Sequence, residues 1–241
     1  MRIFHLDVSR GICVLAMIAY HFSWDLGYFG FIDLRVITQG LGLVIAQLIG
    51  VSFIIIAGIS SRLLSLSHDF KVKFLKRSFK LISICIIISF ATFMLDKNSF
   101  IFFGILHFLL VCSLLSLIMY KIRDTFKLLF IVFILGLVSA SEITLNLPFM
   151  LSWLGFSKEV PIANDFYPLF PWITFYFFGF WLGEVIYIRL SKKSEKNSTV
   201  SLNRFLKFLD YVGQKSLVIY ILHQPILFSL FFLFIKLISR N

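Results

Sequence analysis

Apolar residues dominate long stretches of this chain, and the stretches are too long and too frequent for the core of a soluble domain. Seven of them fall at roughly 9–31, 39–61, 79–95, 101–120, 126–145, 167–188 and 214–237. Each approximates the 17–25 apolar residues that cross about 30 Å of hydrocarbon. Backbone groups have no water to bond with there, so the stretches predict helices rather than strands. The expectation is an all-α integral membrane protein, one domain over residues 1–241 built as a bundle of about seven transmembrane helices. The first stretch doubles as an uncleaved targeting signal, because its polar residues and Trp24 do not fit a signal peptide.

That first stretch and its approach carry four ionisable residues, Asp7, Arg10, His21 and Asp25. A charge at bilayer depth costs about 2.5–3.5 kcal/mol on insertion scales. At about 100° per residue, Arg10 and His21 lie within about 20° of each other, with Asp7 and Asp25 close by. The four share one stripe that lipid rejects, so the stripe faces protein or a wet cavity. Arg10 and His21 are about 16 Å apart along the axis, one near a membrane face and one deep. His21 and Asp25 are four apart on one face. A carboxylate beside an imidazole holds its tautomer and raises its basicity, as a general base or transient acyl carrier needs. The alternative is a structural pair joining two helices.

Composition agrees with the membrane reading: 59% of residues are hydrophobic and the mean hydropathy is +0.95. The net charge of +11 would suggest nucleic acid, but its distribution does not. Counted over alternate connections of the seven expected helices, eighteen Lys and Arg fall on one side and five on the other. The positive-inside rule then places the N-terminus in the cytoplasm and the C-terminus outside. These cations meet anionic lipid, and a nucleic-acid partner is not expected. Cys13, Cys85 and Cys112 all lie in expected helices and read as packing residues, so no metal site is expected.

Two polar segments interrupt the pattern. Residues 191–211 read as a cytoplasmic linker, polar from Ser191 to Leu202 and amphipathic from Arg204 to Tyr211, able to lie on a membrane surface. The connection from Asn146 to Pro168 is rich in aromatic residues and proline and reads as an ordered cover over the bundle. No internal repeat of the kind found in inverted-repeat transporters is present.

Several further residues carry candidate chemistry. Arg10 and Asp7 form either a local ion pair or, through Arg10, a bidentate phosphate clamp. Gly58 to Ser61 favour close helix packing. Among Lys76, Arg77 and Lys80, Arg77 is the one that would point into a bundle if any does, and spacing alone does not rank it above its neighbours. His107 is either a satisfied packing group or a site residue, and Asp165 is an acid beside a membrane mouth. Ser216, Tyr220 and His223 share a face of the last helix, followed by Gln224 and a kinking Pro225.

Four blocks taken in order resemble one family. LDVSRGICVLAMIAYHFSWDL, FFGILHF, DFYPLFPW and GQKSLVIYILHQP run from Asp7 to Pro225. Together they resemble bacterial members of the heparan-α-glucosaminide N-acetyltransferase catalytic-domain family, itself similar to wider transmembrane acyltransferases. The resemblance implies acetyl transfer from cytoplasmic acetyl-CoA, through the bundle, to an amino or hydroxyl group on the exterior side. It implies His21 as the catalytic histidine and Arg10 as the arginine at the CoA end; beside them, Asp25 is expected to orient His21 and Arg77 to help hold CoA. His107, Asp165, Tyr220, His223 and Gln224 are then the expected acceptor-side residues. The acceptor is a glycan, a lipid or a small amino compound, the setting is a bacterial inner membrane, and a homodimer is one assembly open to the chain. A transporter or a non-catalytic assembly protein is the competing class. An acyltransferase needs a base near mid-depth and cations at the cytoplasmic mouth, and the sequence has both.

Overall fold

The computed structural model describes residues 3–119, 125–140, 145–192 and 203–238. Nine α-helices occur among these residues. They are α1 (Phe4–Tyr28), α2 (Arg35–Thr38), α3 (Gly40–Ser65), α4 (Phe70–Leu95), α5 (Ile105–Met119), α6 (Thr125–Ala140), α7 (Leu169–Lys192), α8 (Arg204–Gln214) and α9 (Ser216–Ile238). A 3-10 helix, Phe149–Leu154, precedes α7.

The expected bundle of about seven membrane helices is corrected here. Among the described residues four helices are long and apolar enough to cross a membrane: α3, α4, α7 over Leu169–Ser191, and α9. The orientation drawn from an odd helix count, N-terminus cytoplasmic and C-terminus exterior, goes with it. The reasons are physical. Helix α1 has the length but carries Asp7, Arg10, His21 and Asp25. Helix α5 has 15 residues, about 22 Å of rise against about 30 Å of hydrocarbon. Its expected start is lost because Phe102 to Gly104 do not continue the helix. Helix α6 has 16 residues, with an apolar part at Leu129–Val138, and the expected stretch 126–145 runs on over 141–144, outside the described residues. The four helices leave broad apolar faces uncovered; in the most apolar window of α9 only 11% is buried. Lipid is the solvent that such a face suits.

The chain divides into two units, residues 54–196 and residues 2–53 with 197–241. In the first, glycines bring α3 and α7 into backbone contact. A Cβ at Gly58 would overlap the Tyr176 carbonyl, and one at Gly179 would overlap that of Ile55. Small residues let helices approach this closely, and the gain is dispersion along the whole seam. Tyr176, Phe177 and Phe180 are buried beside it. Arg62 pairs with Glu184 at 3.0 Å and lies over the Phe180 ring, 5.1 Å from its centroid. The segment before α7 is ordered against the turn before α5, with Asn164 N–H bonded to Ser99 O and Tyr167 N–H to Phe103 O. The rings of Trp153 and Phe103 meet at 5.3 Å.

In the second unit α1 is the shared support. Gly11 packs against the Leu209 carbonyl and Gly213 against the Asp7 carbonyl, so α8 runs antiparallel to the first turns of α1. Further along, α9 runs parallel to it, with Phe22 and Phe29 against Phe231 at 5.3 and 5.5 Å and Tyr28 against Phe228 at 5.5 Å. Val14 and Met17 are buried, and the Tyr20 hydroxyl donates to Ile37 O at 3.3 Å. The expected linker 191–211 falls partly on 193–202, outside the described residues, and its amphipathic part is α8.

Candidate active site

Helical spacing puts His21 and Asp25 on one face of α1, and the second unit brings that face to α9. The rings of His21 and His223 lie 4.9 Å apart between centroids, tilted by 57°. Asp25 is fully buried. Its Oδ1 accepts a 2.7 Å hydrogen bond from Gln224 Nε2. The carboxylate is therefore tied across to α9, and Gln224 rather than His21 is its hydrogen-bond partner.

His223 spends one ring nitrogen on its own helix. Nδ1 lies 2.7 Å from the Tyr220 carbonyl, which can only accept, so Nδ1 carries the proton. In the neutral ring Nε2 then holds a lone pair. Three buried atoms here have no hydrogen-bond partner: His223 Nε2, Asp25 Oδ2 and Gln224 Oε1. All three are acceptors, since Gln224 has turned its amide nitrogen to Asp25. Burying an acceptor without a donor costs about 1–3 kcal/mol. The cluster is thus chemically suited to a group that brings N–H or O–H donors. The Tyr220 ring stands beside His223 at 5.7 Å, so the structure gathers His21, Asp25, Tyr220, His223 and Gln224.

Arg10 lies about three turns earlier on α1. Its Nη1 bonds Asp7 Oδ1 at 2.6 Å, so the local ion pair weighed above is formed. Asp7 is buried and Arg10 half-buried, with the Asp7 main chain against Gly213 of α8.

The remaining expected residues lie in the first unit. Arg77 is half-buried on α4, whereas Lys71, Lys73, Lys76 and Lys80 are exposed. His107 is fully engaged. Gly104 N–H donates to its Nδ1 at 3.3 Å, which leaves Nε2–H to donate to Ser89 Oγ at 3.0 Å, and that hydroxyl donates to Ile101 O. Asp165 Oδ2 accepts from Ile105 N–H at 3.0 Å, where a carboxylate complements the N–H groups that open α5. A Cβ at Gly104 would overlap that carboxylate. His107 and Asp165 therefore meet around residues 104–105 and hold that turn.

Sequence reasoning did not single out Glu184 or Tyr176. An acid in the middle of an apolar helix was the available signal for Glu184, by the same cost argument applied to α1. Tyr176 offered none, since only the fold reveals a fully buried hydroxyl. Among the described residues no three His, Cys, Asp or Glu side chains gather as a metal site.

Residues 2–225 match the family model described as heparan-alpha-glucosaminide N-acetyltransferase, catalytic. No curated protein and no solved structure matches the chain. The match covers most of the chain, so the protein belongs to that acetyltransferase family.

Proposed function

We propose that this member of the heparan-α-glucosaminide N-acetyltransferase family, an integral membrane protein of acyltransferase type, moves an acetyl group from acetyl-CoA to an amino or hydroxyl group. The acceptor is a sugar or a related compound on the far side of a bacterial inner membrane from the donor. The observation that carries the reading is the cluster of His21, Asp25, His223 and Gln224, with three buried acceptor atoms lacking donors. An amine or alcohol supplies those donors, and it is the nucleophile that acetyl transfer requires.

In this reading neutral His21 takes the proton from the nucleophile as its nitrogen or oxygen attacks the acetyl carbonyl carbon. The C–S bond breaks, and CoA leaves as a thiolate that takes up a proton. His223 Nε2 accepts a second hydrogen bond from the acceptor and orients it. Asp25, held by Gln224, supplies negative charge that favours the imidazolium formed on His21. Arg10, about three turns from His21 on the same helix, offers a cation to the phosphates of CoA.

Purified protein in nanodiscs, given acetyl-CoA with a panel of amino sugars and amines, should release free thiol in an acceptor-dependent way. His21→Ala should slow that release by about 10²- to 10⁴-fold while the protein still inserts. Acceptor binding without any thiol release, in wild type, would move the reading to transport. Labelled acetyl retained on wild type without acceptor, and absent from His21→Ala, would make His21 an acyl carrier instead of a base.

A further inference from the structure

Helix α8 has a face that neither α1 nor the chemistry above uses. Its Leu209, Val212 and Gly213 are buried, and the last packs on Asp7 of α1. The flank beside that seam carries Phe205, Phe208 and Tyr211, which are 60%, 51% and 59% exposed. At three-residue spacing they form one aromatic strip along the helix. Arg204, Lys207 and Lys215 border the strip, all exposed. The single carboxylate of α8, Asp210, is bonded to Gln214 at 2.8 Å. Only Lys215 separates α8 from α9, one of the four helices able to cross a membrane.

We infer that α8 docks on anionic lipid headgroups, with Phe205, Phe208 and Tyr211 inserted at the acyl boundary and Arg204, Lys207 and Lys215 on the phosphates. The chain order carries the location: Gln214, the last residue of α8, is two residues from the start of a crossing helix, so that end of α8 lies near the level where α9 enters the bilayer. Exposed aromatic side chains are stable at that level, being half apolar and half wet. The charge selects the lipid, since three cations against one internally bonded acid complement a negative surface. The inference stands apart from acetyl transfer, because none of these residues touches the His21 cluster. It gives the protein a lipid-sensitive part resting directly on the first turns of α1.

Hydrogen exchange over residues 203–215 of the full chain tests this in nanodiscs of phosphatidylcholine with and without phosphatidylglycerol. Phosphatidylglycerol should slow exchange severalfold, up to about 100-fold for three cations. Salt at about 1 M should remove most of the difference. The double variant Lys207→Glu with Lys215→Glu should lose it altogether, while peptides over residues 222–232 keep their protection and report that α9 is intact. Phe208→Ser with Tyr211→Ser should exchange faster in both lipids. Equal wild-type exchange in the two lipids overturns the inference, whatever the variants do. So does a lipid difference that survives charge reversal in a variant with α9 still protected.

Discussion

Gln224→Leu removes the hydrogen-bond donor that holds a fully buried carboxylate. Gln224 Nε2 lies 2.7 Å from Asp25 Oδ1, and Asp25 Oδ2 has no partner. Leucine keeps the volume close but leaves both oxygens unsatisfied. A hydrogen bond to a charged group is worth about 1.5–3 kcal/mol, and the orphaned acceptor adds to its loss. We expect a loss of about 2–3 kcal/mol, roughly 30- to 150-fold in the unfolding equilibrium. In an Asp25→Asn background the same change removes only a neutral bond and should cost about 1 kcal/mol. The difference is a coupling energy, read from a double-mutant cycle by reversible denaturant unfolding of the full chain in mixed micelles. Equal cost of Gln224→Leu in both backgrounds would refute the pairing and with it the role given to Asp25.

Other consequences can be checked separately. His21→Ala should lower turnover by about 10²- to 10⁴-fold with expression intact, and wild-type activity should fall on acidification, since a protonated imidazole takes no proton. Arg10→Lys keeps the charge but loses the planar fork, and should weaken CoA binding measured by calorimetry more than it lowers thermal stability. Glu184→Gln removes the carboxylate that pairs with buried Arg62 at 3.0 Å; with Glu184 partly exposed, a loss of about 1–3 kcal/mol is expected on denaturant titration. Asp96 is held below the usual carboxylate range by the Ser99 hydroxyl and Asn98 N–H. Its contribution is present above the ordinary range near pH 4 and lost as pH falls through the depressed value, so amides near residues 98–99 should exchange relatively faster in acid than those of α4, after correction for intrinsic rates.

The stripe on α1 was legible because ionisable groups in an apolar helix are expensive and must be accounted for. The face of α9 bearing Tyr220 and His223 was legible for the same reason. What spacing could not give was the partner. Asp25 bonds Gln224, 199 residues away, and not the His21 four residues away on its own face. Nor could apolar run length give helix length. Phe102 and Phe103 are as apolar as any membrane residue, but they form the approach to α5, where Phe103 O accepts from Tyr167 N–H. A hydropathy window counts such residues as helix, and so it stretched α5. The glycine seam of α3 and α7 was half visible in Gly58, but its partner Gly179 gains meaning only from the crossing.

The two sets of contacts along α1 act as a gauge. Gly11 must face the Leu209 carbonyl while His21 faces His223, and ten residues separate the glycine from the histidine in register. Inserting or deleting one residue between them turns one end by about 100° against the other. The glycine would then present a side chain to α8, or the imidazole would swing away from α9. A four-residue insertion turns by only about 40° but lengthens the gauge by about 6 Å, more than a full turn of rise. Point substitutions at exposed Ile12 or half-buried Leu15 should be tolerated where any change in the number of residues from Gly11 to His21 is not.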